Sequence, residues 1–280
     1  MISDSEKKDL LELRKRIFLT GYKGGMAHLA SCFSCIDMIY ALYFKDILKY
    51  DPKNPKWEDR DRFILSKGHG GLALYAVLEK AGLISGELLD SYLSEDSLIG
   101  GEPCMRDCEF IEATTGSLGH GLSFGLGIAM ALKMNGSSSK VYVMLGDGEL
   151  QEGSVWEAAM AASGFSLDNL IVIVDHNRIQ KMDFVENTLG KLDWEGKFAA
   201  FGWAIKKTDG HDINEFNKNL DNLKDDKIAS GRPKAVIADT VKGKGVSVME
   251  NDPRWHFRLP GKKDLKIFME ELDIAESELE

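Results

Sequence analysis

No apolar run in the sequence approaches the ~20 residues that a helix needs to cross a bilayer. The first twelve residues, Met1 to Glu12, are polar and mixed in charge, with no apolar centre like that of a secretory signal, so the cytoplasm is the default compartment. An excess of cations is missing too. There are 35 Lys and Arg against 45 Asp and Glu, a formal net charge of −10. Non-specific nucleic-acid binding and attachment to anionic membranes both draw on clustered Lys and Arg, and this balance argues against both. A phosphate-bearing substrate would need positive groups local to its site. Cysteine is scarce: four residues, in the close pairs Cys32/Cys35 and Cys104/Cys108. The first pair has the CxxC spacing of a zinc half-site. It falls, however, in SCFSCIDMIYALYF, which reads as a buried helix, where cysteine serves as a small core residue. Reduced thiols are the expectation. Internal repeats, low-complexity tracts and a recognisable linker are also lacking, so one domain over residues 1–280 is the simpler reading.

What is present is ordinary for a soluble enzyme: 44% hydrophobic and 29% charged residues, in a chain long enough to bury a real core. Leu10, Leu11, Leu13, Ile17 and Phe18 share one helical face, and Ile36, Met38, Ile39, Leu42 and Tyr43 another. The polar DPKNPKWEDRD then breaks helix. Strands are expected at Arg62 to Ser66, Val141 to Leu145, Leu170 to Val174, Trp203 to Lys206 and Ala235 to Asp239. Helices are expected at Leu72 to Leu83, at Gly121 to Met134 (small, apolar and buried) and at Gly153 to Gly164. Leu220 to Arg232 reads as a polar surface helix and turn. Strands alternating with helices imply βαβ units, hence a three-layer α/β/α fold around a mostly parallel sheet. Ligands of such sheets gather at the carboxyl ends of the strands.

The segment GDGELQEG, Gly146 to Gly153, directly follows the VYVML strand, and the next strand, LIVIV, runs into Asp175-His176-Asn177. Two strands thus bring Asp147 and Asn177, thirty residues apart, to the same edge of the sheet. Hard oxygen ligands beside a diphosphate suit magnesium or calcium rather than zinc. GDG with an Asn at this distance, just past an apolar strand, resembles the thiamine-diphosphate motif. That resemblance implies thiamine diphosphate as cofactor and Mg2+ (or Ca2+/Mn2+) held by Asp147, Asn177 and the backbone carbonyl of Ile179, with Gly148 touching the diphosphate.

Further segments resemble the N-terminal, thiamine-diphosphate-binding (PP) domain of transketolases. LSKGHG, Leu65 to Gly70, is similar to the LSxGH motif, and AHLASCFSCID around His28 to a GHxGGSLSxxD context. TGSLGHG, Thr115 to Gly121, is similar to TGSLGQG; DGHD, DTVKGKG and Trp255-His256 match later landmarks. By resemblance, His28, His69 and His256 are the active-site imidazoles. His69, Gly116, Ser117, Leu118, Gly146, Asp147, Gly148, Glu149 and Asn177 contact the cofactor, and Glu152 bridges the halves of a dimer. His176 reads as structural, and His211 is open between structure and function. Two departures stand out. Where the family has GHP, this chain has Gly101-Glu102-Pro103, so the third family His falls on Glu102; the family Gln falls on His120. A carboxylate at the third position would repel an anionic donor and favour a hydroxyl or an amine, so Glu102 and His120 become candidate substrate residues.

The resemblance also implies a division of labour. The family's pyrimidine-binding and C-terminal domains, with the Glu that activates the cofactor's aminopyrimidine, have no counterpart among these motifs. The expectation is therefore a subunit that works only with a C-terminal, transketolase-like partner, in an α2β2 assembly. Its reaction would be two-carbon ketol transfer from a ketose or ketose phosphate to an aldehyde. Alternatives are a related enzyme of a specialised pathway with an unusual donor or acceptor, and a non-catalytic subunit that keeps the fold.

Overall fold

The computed structural model describes residues 2–106, 108–224 and 229–279. Among them, five parallel strands form a sheet in the order β1-β2-β3-β5-β4: β1 Arg62–Leu65, β2 Val141–Gly146, β3 Leu170–His176, β4 Ala204–Asp209 and β5 Lys234–Asp239. Each strand overlaps the span expected from the apolar runs, and β4 is displaced the most. Ala204 pairs with Lys234, and the strand runs on through Asp209 rather than stopping at Lys206.

Alternation of side chains sorts the central strands into two cores. Tyr142, Met144, Ile171, Ile173, Val236 and Ala238 face a layer that includes α1 (Asp4–Lys23), α2 (Leu29–Phe44), α3 (Gly71–Lys80) and the helix Ile213–Lys224. Val141, Val143, Leu145, Leu170, Val172, Val174 and Ile237 face the helices Gly121–Met134, Gly153–Gly164 and Trp194–Ala200. This is the three-layer α/β/α arrangement. Ser3 starts α1 with a capping box closed by Glu6. In α2, Leu29 through Tyr43 are all buried, Cys32 and Cys35 among them. Burial pushes the Cys32 thiol up to about 11 and Cys35 further in the same direction, so neither is poised to react.

Two expectations are corrected. The helix Gly121–Met134 is buried along one face only: Gly121, Leu122, Gly125 and Ala129 pack inward, while Phe124 is 49% and Met134 77% exposed. Its small-residue face lets it lie close to the sheet, where a Cβ on Gly125 would meet Val143 at 2.4 Å. The expected polar surface helix and turn from Leu220 to Arg232 is instead, in its first part, the end of the helix Ile213–Lys224, where Leu220 and Leu223, with Ile213 and Phe216, pack into the core. Residues 225–228 of that expected stretch lie outside the described residues. Among the described residues, no helix is long and apolar enough to cross a membrane.

Candidate active site

Four strands end at one edge, and each is followed by a charged or polar residue that the apolar strand could not have buried alone. β1 leads into Ser66, Lys67 and His69; β2 into Asp147; β3 into Asn177; β5 into Thr240 and Lys242. Gly146 pairs with Asp175 at the end of the β2–β3 ladder, which sets Asp147 and Asn177 side by side. With His28 at the start of α2 and His256 after the turn Pro253–Trp255, Lys67, His69, Asp147, Asn177 and Lys242 line a cleft of about 430 Å³. Thirteen of the expected site residues meet there: His28, His69, His256, Glu102, Gly116, Leu118, Gly146, Asp147, Gly148, Glu149, Glu152, Asn177 and Ile179.

Two do not line it. Ser117 is exposed. His120 is exposed as well, precedes the helix Gly121–Met134 and has Nδ1 3.2 Å from the Leu118 carbonyl oxygen. The turn that follows Gly119 directs it away from the cleft lining. A third, Glu149, lines the cleft but has its carboxylate committed to the protein. It accepts from Ser66 Oγ, from Gly119 N–H at 2.8 Å and from Gly146 N–H at 3.0 Å. It ties the loops after β1 and β2 to the Thr115–Gly121 loop, so its contribution is to hold the walls together rather than to offer its side chain to a ligand. Gly116 makes the close approach between those walls possible: its φ is +123°, and a Cβ there would sit 1.8 Å from Glu102 Oε2.

The cleft has two ends. At one, the rings of His28, His69 and His256 form a triangle with centroids 5.4, 5.3 and 5.6 Å apart. Burial, reinforced by Lys67 and Lys242, pulls His28 down to about 4 and His256 to about 3, and His69 lies well below its ordinary value for the same reasons. All three are neutral at physiological pH. At the other end are the oxygens. Asp147 is 2% exposed; its carboxylate accepts from Gly148 N–H at 2.8 Å and from Arg178 N–H. Among the described residues no Lys or Arg lies within ion-pair distance of it. Burial and the nearby Asp175 charge push its carboxyl up, which is the state of a carboxylate that lacks a neutralising cation. The Ile179 carbonyl accepts from Lys242 Nζ at 2.9 Å, so an ammonium already stands against one of the three expected metal ligands. Carboxylate, amide and carbonyl oxygens fit magnesium or calcium.

The family model described as "Transketolase, thiamine diphosphate binding domain" matches residues 20–276. The chain belongs to this family. It is 40% identical over 247 residues to one subunit of an apulose-4-phosphate transketolase from Phocaeicola vulgatus, covering 88% of this chain and 86% of that one. It is also 40% identical over 228 residues to the 6-deoxy-6-sulfo-D-fructose transketolase subunit of a Clostridium species, covering 81% and 82%. The solved transketolase of Campylobacter jejuni superposes with a TM-score of 0.86 at 31% identity, over 96% of this chain and 43% of that longer one.

Within this transketolase-family cleft, sequence reasoning passed over three residues. Asp175 is fully buried and pairs with the equally buried Lys67; it also accepts from Ser34 Oγ at 2.6 Å, from Thr240 Oγ1 and from Asn177 Nδ2 at 3.2 Å. Because Asn177 Nδ2 is spent on Asp175 and Ser34, its Oδ1 is the atom left over; it accepts from Ile179 N–H at 3.1 Å. Lys242 is the third, joined to His256 Nδ1 at 2.9 Å and pulled down by burial and by Lys67. Each stood inside a quoted motif, but as a filler position. The available signal was a charge at the very end of an apolar strand, which must find a partner or a ligand. His176 and His211 stand outside the cleft lining and are held by carboxylates: His176 Nδ1 is 2.8 Å from Asp239 and His211 Nδ1 2.6 Å from Asp37.

Proposed function

We propose that this chain, residues 1–280 as one PP domain, is the cofactor-diphosphate-binding subunit of a split transketolase-like enzyme. The reaction is transfer of a two-carbon ketol unit from a ketose or ketose phosphate to an aldehyde. The observation that carries the reading is the opposition, across one cleft, of buried oxygen donors on Asp147, Asn177 and Ile179 and three neutral imidazoles. Thiamine diphosphate, when bound, supplies the carbon nucleophile and electron sink. Asp147, Asn177 and the Ile179 carbonyl would hold magnesium, with Gly116, Leu118 and Gly148 against the diphosphate and Lys242 facing its charge. Lys242 would then give up the Ile179 carbonyl. His28, His69 and His256 donate hydrogen bonds to substrate carbonyl oxygens and accept protons from substrate hydroxyls, tasks that require the neutral ring they have near pH 7. Where Lys242 is protonated it donates to His256 Nδ1, which leaves the proton of that ring on Nε2. Glu152, exposed at the start of the helix Gly153–Gly164, is free to reach across to a partner.

Relatives whose names mark them as single subunits of a transketolase support a C-terminal, transketolase-like partner. We take the assembly to be α2β2 and cytoplasmic. A second reading, a specialised donor or acceptor, is favoured by Glu102. Its carboxylate lines the cleft, is exposed and has no ion-pair partner among the described residues. The test is calorimetric titration of thiamine diphosphate with magnesium into the chain, alone and with the partner subunit. Magnesium-dependent binding that strengthens with the partner and drops by about 10–100-fold in Asp147→Ala is expected. No binding in either condition would overturn the assignment.

A further inference from the structure

Behind the cleft, the buried Arg14–Asp37 ion pair and the half-buried His211 grip the turn that carries Lys242. Asp37, on α2, is 2% exposed. Its Oδ2 accepts from Arg14 Nη2 at 2.6 Å and lies 2.6 Å from His211 Nδ1. Val241 N–H donates to His211 Nε2 at 2.8 Å, so Nε2 is the bare nitrogen and Nδ1 carries the proton toward Asp37. Arg14 Nε donates to the Lys244 carbonyl at 3.0 Å. Between these two anchors, Gly243 N–H donates to the Ala30 carbonyl at 2.9 Å, two residues past His28. Side chains from α1 and from the turn after β4 therefore hold both ends of the segment 241–244.

Lys242 itself points the other way. It lines the cleft and bonds Ile179 and His256, whereas Arg14, Asp37, His211 and Lys244 line a separate cavity of about 290 Å³ on the far side of the turn. A buried ion pair is a poor device for stability alone, since apolar side chains of similar volume do as well or better. This one ends on the two backbone groups that flank Lys242.

We propose that His211 is a positioning residue. Together with Asp37 and Arg14 it fixes the segment 241–244 and so holds the Lys242 ammonium at the phosphate-binding end of the cleft. The inference rests on the assignment of that cleft to thiamine diphosphate. The test is a double-mutant cycle read by titration of thiamine diphosphate with magnesium chloride into the chain with its partner subunit present. Lys242→Met and His211→Phe should each weaken binding by about tenfold, as the loss of one charge-linked hydrogen bond would. The double variant should bind no more weakly than Lys242→Met, because His211 acts only through Lys242. His211→Gln, whose amide can donate toward Asp37 and accept from Val241, should stay near wild type. If His211→Phe does not fold, His211→Ala takes its place in the cycle. Additive losses, wild-type binding by the His211 variant, or a Gln variant as weak as the Phe variant would each overturn this inference alone. A wild-type complex that binds no cofactor would overturn both it and the assignment of the cleft.

Discussion

The floor of the cleft and its rim are built on opposite principles. At the floor, Lys67, Asp175, Ser34, Thr240 and Asn177 form a closed network in which every charge is buried and matched. At the rim, Glu102 and Glu152 stand exposed with no ion-pair partner among the described residues, and the helices Gly121–Met134 and Gly153–Gly164 expose Phe124 and Met160. A buried network with one member missing costs more than an apolar core, so the floor tolerates little change. The rim costs nothing to vary. The lesson is that two regions of one cleft differ sharply in their expected tolerance to substitution.

The sharpest way to break this contrast is Lys67→Met. It leaves Asp175 buried and unpaired and should cost about 3–5 kcal/mol of stability, measured by urea unfolding; a loss below about 1 kcal/mol would mean that the floor is not the stiff element. Acid should act on the imidazole end of the cleft as well. His28 and His256 titrate near 4 and 3 in the folded chain, below the ordinary 6.5. Between those values the unfolded chain binds protons that the folded chain refuses, so stability must fall as pH drops through 6.5 toward 4. The urea midpoint should decline over that range and decline less steeply in His28→Gln/His256→Gln; an identical slope in that variant would remove the imidazoles as the cause. At the rim, Glu102→His should leave the unfolding midpoint unchanged while shifting kcat/KM between phosphorylated and neutral donors by about tenfold, the scale of one charged hydrogen bond. An unchanged preference would take Glu102 out of substrate selection. Phe124→Ser should have the smallest effect on the isolated chain, within about 0.5 kcal/mol, yet weaken association with the partner in analytical ultracentrifugation. Destabilisation without weaker association would place Phe124 in the core instead.

The contrast also explains what was legible in the sequence. That Asp147 and Asn177 come to one cleft could be read because a Gly-rich turn and an apolar strand announce them, and that His28, His69 and His256 join them because each sits in a multi-residue motif. Asp175, Lys67 and Lys242 could not, because an isolated charge in a motif looks the same whether it meets solvent, a ligand or another charge. His120 differs for a related reason: a motif position does not say which way a side chain points, and this one is exposed outside the cleft lining. The half-exposed helix Gly121–Met134 reads as buried in the sequence because apolar composition does not say which molecule covers a face.

The sequence by itself determined the layer architecture, the strands and the edge at which their ends gather, since period and chain order are local properties that survive without coordinates. Only the tertiary structure decided which charge meets which: that Lys67 neutralises Asp175, that Asp175 orients Asn177, and that Arg14, Asp37 and His211 join from distant parts of the chain to hold the turn bearing Lys242. Those pairings depend on distance in space, because electrostatic energy in a buried site is set by separation and desolvation, and neither is written in sequence spacing.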